Sequence, residues 1–148
     1  MNGTTIKKQL AWLAWLAIGT AHSAWAHDQS GALGAAAGAT DLYLVTCYDD
    51  NEGNGASEHL SLDITDNAPK AAAMISMQVF KGGKALNTTD AREDSLASPE
   101  LQFAGGDGAY WVVVNKSAAG KENYAIVYHC QNSTGGHTGT TITPLQNQ

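Results

Sequence analysis

Residues 109–130 read AYWVVVNKSAAGKENYAIVYHC, and this stretch decides the fold class. Residues 109–115, opened by Asp107-Gly108, are an apolar run of aromatic and β-branched side chains. Residues 116–122 supply the small and polar residues of a turn. Residues 123–130 then alternate, with Tyr124, Ile126, Tyr128 and Cys130 on one face at period two. Two strands joined by a turn point to an antiparallel sheet.

The pattern repeats toward the N-terminus. Residues 41–48 (DLYLVTCY) place Tyr43, Val45 and Cys47 on one face and Leu42, Leu44 and Tyr48 on the other, as a central strand would. A polar turn, residues 49–58, follows. Residues 59–65 (HLSLDIT) alternate with Leu60, Leu62 and Ile64 inward and His59, Ser61, Asp63 and Thr65 outward. Residues 73–81 put Ile75, Met77 and Val79 on one face, and the following Gly82-Gly83 favours a strand over a helix. Residues 84–99 read as a long polar loop, and Leu101 and Phe103 as a short strand. The expectation is an all-β antiparallel sandwich or jelly roll of about six to eight strands.

The ends are compositionally distinct. Lys7 and Lys8, the apolar run Leu10 to Ala21 and the small-x-small site Ala24-Trp25-Ala26 read as a signal peptide over residues 1–26, cleaved before His27. The run is too short and Ala-rich to span a bilayer comfortably. Residues 27–40 read as a flexible Gly/Ala-rich arm, 41–131 as the sandwich domain, and 132–148 as a ragged Gly/Thr-rich tail with one short strand near Thr140. The expected location is the periplasm or the medium.

The only two cysteines are Cys47 and Cys130. Both fall on core-like strand faces, so in an oxidising compartment they are expected to form one structural disulfide, between sheets or between adjacent strands. No C-x-x-C spacing argues for redox or metal chemistry instead. All 14 acidic residues lie beyond position 26, whereas Lys7 and Lys8 lie before it. The processed chain is therefore more acidic than the formal −6 of the whole. That charge argues against nucleic acid and anionic membranes as partners.

The segments Asp107-Gly108-Ala109-Tyr110-Trp111-Val112-Val113-Val114 and Asn123-Tyr124-Ala125-Ile126-Val127-Tyr128 resemble the closing strands of bacterial pre-peptidase C-terminal domains. Their patterns are G-x-Y-x-V-x-V and Y-x-L-x-V. Asp41-Leu42-Tyr43-Leu44-Val45 is similar to that family's D-x-Y-x-F/V opening strand. The family's central D-x-D-L-Y-L-Y strand is absent between Ile75 and Phe80, and the cysteine pair is no part of its pattern. The resemblance implies an accessory jelly roll of secreted proteins, usually attached to a hydrolase, that binds polymers, aids secretion or binds calcium.

Four features carry candidate chemistry. After cleavage, His27 would offer an α-amine and an imidazole to copper, with His59, His129 or His137 as a further nitrogen. Asp49, Asp50, Glu52 and Asn54 could offer oxygens to calcium, although Ser61 stands where an EF-hand loop needs its last glutamate. Asp90, Glu93 and Asp94 with Arg92 read as a solvated loop in preference to a glycosidase pair. Trp111 would be an outward binding anchor if Tyr110 and Val112 point inward. No G-x-S-x-G, phosphate loop or dinucleotide fingerprint occurs. The chain is expected to be a non-catalytic binding or interaction module for a protein or polysaccharide. The alternatives are a periplasmic copper binder using His27 and a self-associating subunit of a surface assembly.

Overall fold

The computed structural model describes residues 27–67 and 73–148. The signal peptide read at residues 1–26, and Pro69 with its neighbours, lie outside the described residues. Nine strands form two antiparallel sheets: β1 His27–Leu33, β2 Thr40–Tyr48, β3 His59–Asn67, β4 Ile75–Lys81, β5 Lys84–Asp90, β6 Leu101–Ala104, β7 Gly108–Lys116, β8 Glu122–Gln131 and β9 Gly139–Gln146. One sheet has the order β1-β8-β3-β6, and the other β5-β4-β7-β2-β9.

The pairing follows one rule. β4 pairs β5, β3 pairs β6, β2 pairs β7 and β1 pairs β8. The first eight strands are thus a long antiparallel ribbon folded at Gly82-Gly83 and wrapped into two sheets, which is a jelly roll. Both tip glycines have positive φ, 56° and 75°, as a two-residue hairpin turn requires. β9 adds to the outer edge of β2.

The alternating faces meet between the sheets. Tyr43, Val45, Leu60, Leu62, Ile64, Ile75, Met77, Val79, Tyr110, Val112, Tyr124 and Ile126 are all buried in one core. Cys47 on β2 bonds Cys130 on β8, so the disulfide ties one sheet to the other, with Cα atoms 5.5 Å apart. Its 83-residue separation corresponds to ~4.5 kcal/mol on the chain-entropy account of crosslinks.

Three expectations are corrected. The segment 27–40 contains β1, paired with β8 along its length. Its small residues are a packing requirement: a Cβ on Gly31 would lie 2.2 Å from the Tyr124 ring opposite it. The tail beyond 131 has its short strand near Thr140 as expected, but longer, as β9, where Gly139 lies against Tyr48 in the same way, a Cβ meeting that ring at 2.4 Å. The polar run 84–99 begins with β5, an edge strand whose outer residues are exposed, so its composition resembles that of a loop. β1 and β5 bring the total to nine, above the six to eight expected.

Candidate functional site

The expected histidine ligands sit at four separate places in the sequence; folding brings His59, His129 and His137 to one face of β8 and sets His27 against Tyr128 on the other. His129 lies on β8 beside the disulfide, and its ring stacks on His137 with centroids 4.9 Å apart. His137 is held by the short bridge between Gln131 and His137 that precedes β9. His27 opens β1 opposite Tyr128, their ring centroids 5.7 Å apart. His59 opens β3, and its Nε2 lies 2.9 Å from Gln131 Oε1.

Burial, the most important influence, lowers the pKa of His129, and His137 and His27 lower it further, while Glu100 works against them. Glu100 accepts a hydrogen bond from Ser61 and has its own pKa lowered, chiefly by that bond, with His129 and His59 contributing. His27, His59 and His137 therefore all lie within electrostatic reach of His129 or Glu100. His129 Nδ1 is buried and makes no full hydrogen bond, although the Tyr128 backbone favours the charged ring. The strand pairing of β1 with β8 fixes His27 at the sheet edge, its ring against Tyr128.

The acidic turn is arranged differently. Asp49 Oδ1 accepts from the Asn51 amide at 2.8 Å, and Asp50 Oδ1 from the Glu52 amide at 3.0 Å. Asn54 donates to the His137 carbonyl at 2.8 Å. These bonds close the turn on itself and onto the histidine segment.

Trp111 faces outward, 47% exposed, while Tyr110 and Val112 are fully buried. In register it lies between Phe80 on β4, itself 40% exposed, and Leu44 on β2. Phe80 and Trp111 border a shallow groove of about 360 Å³ with the hairpin residues Lys81 to Ala85.

One cluster is not among the sequence expectations, and it corrects the reading of Asp90 and Glu93 as a solvated loop: Asp90 is buried on β5, and Glu93 joins two inward acids. Asp66 extends the inward row Leu60, Leu62, Ile64 of β3, and Glu122 begins the inward row Tyr124, Ile126, Tyr128 of β8. Both side chains are buried, and with Glu93 from the loop after β5 they offer three carboxylate oxygens within 4.8 Å of one another. No other group of three acidic, histidine or cysteine side chains among the described residues converges so closely. Burial, then Glu122, Glu93 and Asp90, push the Asp66 pKa up to about 7. Glu122 is raised by burial and by Glu93, with Lys116 opposing. The signal was present in the sequence: an acid at the end of an otherwise apolar inward row.

At the same end of the sandwich, Asp41 accepts from Tyr124 Oη at 2.5 Å and from the Gln148 amide at 2.7 Å, and Tyr124 Oη lies 2.6 Å from Tyr43 Oη. Comparison with protein-family models, with curated proteins and with solved structures found no match to this chain, so its functional reading rests on these side chains.

Proposed function

We propose that this chain is an exported, non-catalytic β-sandwich that binds Cu(II) through its histidine patch. The observation that supports the reading is His129, whose buried Nδ1 makes no full hydrogen bond and whose ring stacks on His137. Imidazole nitrogens suit Cu(II), and cleavage before His27 would add an α-amine next to an imidazole. The intersheet disulfide suits an oxidising compartment.

The test is to purify the protein from the exported compartment, measure its N-terminal mass, and titrate it with Cu(II). One tight equivalent is expected with His27 at the terminus. It should be lost in His27→Ala and on adding one residue before His27, and weakened at least tenfold in His129→Ala, the order of a lost ligand or its support. A different N-terminus, or no copper uptake, rejects the reading.

A second reading has its own support. Phe80 and Trp111 form an exposed cross-strand aromatic pair, a surface on which the apolar face of a sugar ring can stack. A polysaccharide-binding module would show quenched Trp fluorescence with its polymer, and Trp111→Ala would abolish retention on that polymer. Unchanged retention would reject it.

A further inference from the structure

Four acidic side chains face inward at one end of the sandwich, and they divide into two pairs. Asp41 and Asp90 are answered by donors. Asp41 takes the Tyr124 hydroxyl and the Gln148 amide, and Asp90 takes the Asp66 amide at 2.8 Å and the Arg92 amide at 3.1 Å. Asp66 and Glu122 are different. Asp66 is 2% exposed and its Oδ1 has no hydrogen-bond partner. Glu122 is 0% exposed and neither of its carboxylate oxygens has one. The nearby ammonium of Lys116 bonds the carbonyls of Gly34 and Gly120 instead.

Buried carboxylates are ordinarily paired, hydrogen-bonded or bound to a metal. Here a carboxylate oxygen from each of these two acids converges with one from Glu93, all within 4.8 Å of one another. We propose that Asp66, Glu93 and Glu122 form a Ca²⁺ site. The donors are all oxygen, which selects a hard cation. Calcium–oxygen bonds of about 2.3–2.6 Å allow ligands on opposite sides of the ion to lie roughly 5 Å apart. Magnesium, at about 2.0–2.1 Å, requires a tighter octahedral set. Two ligands come from adjacent strands of one sheet and the third from the loop joining β5 to β6. The ion would therefore fasten that loop to the end of the sandwich. This site is separate from the histidine patch, which lies toward the other end of β8.

The experiment uses the full exported chain, stripped with EDTA and then titrated with CaCl₂ by calorimetry and thermal melting. One Ca²⁺ per chain is expected, with a rise in Tm of roughly 10 °C at a hundredfold excess over Kd. Glu122→Gln and Asp66→Asn should each lose that rise, while Asp50→Asn in the exposed turn and His129→Ala keep it. No calcium uptake by the stripped wild type overturns the site, and so does an undiminished rise in both carboxamide variants. If both variants fail to fold, an anomalous map of wild-type crystals grown with Tb³⁺ decides. A peak between Asp66 and Glu122 upholds the site, and its absence there overturns it.

Discussion

At the acidic end of the sandwich the unpartnered atoms are carboxylate oxygens, sealed from solvent and placed by the inward rows of β3 and β8. At the histidine patch the unpartnered atom is one imidazole nitrogen, His129 Nδ1, among side chains that are half-buried or exposed and come from strand ends and a loop. The difference teaches what each region contributes to the fold. A buried carboxylate without a partner strains the folded state, so the acidic end is coupled to stability. The imidazoles of the outer face keep part of their solvation after folding, so the patch is more open to change.

That contrast orders the expected effects. The largest falls on the satisfied half of the acidic end. Asp41→Ala should cost about 2–3 kcal/mol in denaturant titration, with or without calcium, because it removes the buried acceptor of the Tyr124 hydroxyl and the anchor of the Gln148 amide. Next comes pH. The raised pKa of Asp66 means that the folded protein holds its proton more tightly than the unfolded chain. In EDTA, the contribution of Asp66 to stability should therefore be fullest below about pH 4 and be lost as pH rises through about 7. Calcium binds the ionised form, so its stabilisation should grow over the same window. Melts at stepped pH, with and without calcium, would show the two trends diverging, and parallel curves would contradict the coupling.

Glu122→Gln should change sign with the metal. In EDTA it should stabilise by about 1 kcal/mol, because an unpaired buried charge is removed. In calcium it should be less stable than the wild type. The smallest effect is expected at the patch. His129→Ala should shift stability by no more than ~0.5–1 kcal/mol, within the range of substitutions away from the core, and leave the calcium response unchanged. A large loss there would erase the contrast.

The same distinction explains how much could be read beforehand. Apolar alternation located the cores of β2, β3, β4, β7 and β8, because residues such as Leu60, Leu62 and Ile64 leave a period-two trace. Face assignment also placed both cysteines inward. β1 was hidden because its contribution is backbone pairing and the absence of a side chain at Gly31, which looks like flexibility until Tyr124 is seen above it. β5 was hidden by the polar surface of an edge. The histidines were named individually, but their convergence depends on strand register. Asp66 and Glu122 were passed over because an acid at a strand end reads as the onset of a turn, and the parity that turns it inward was not carried one residue pair further.

The ribbon has a kinetic consequence. β1 and β8 meet across about a hundred residues, His27 against Tyr128, yet no step need close so wide a loop. Once the two-glycine tip has joined β4 to β5, each outer pair is brought near by the one inside it, and the entropy of ring closure is divided among shorter spans. Pulse-labelled hydrogen exchange should find β4 and β5 amides protected before those of β1. The N-terminal strand would then be among the last to dock, so His27 would reach its place against Tyr128 only when the sandwich is otherwise complete.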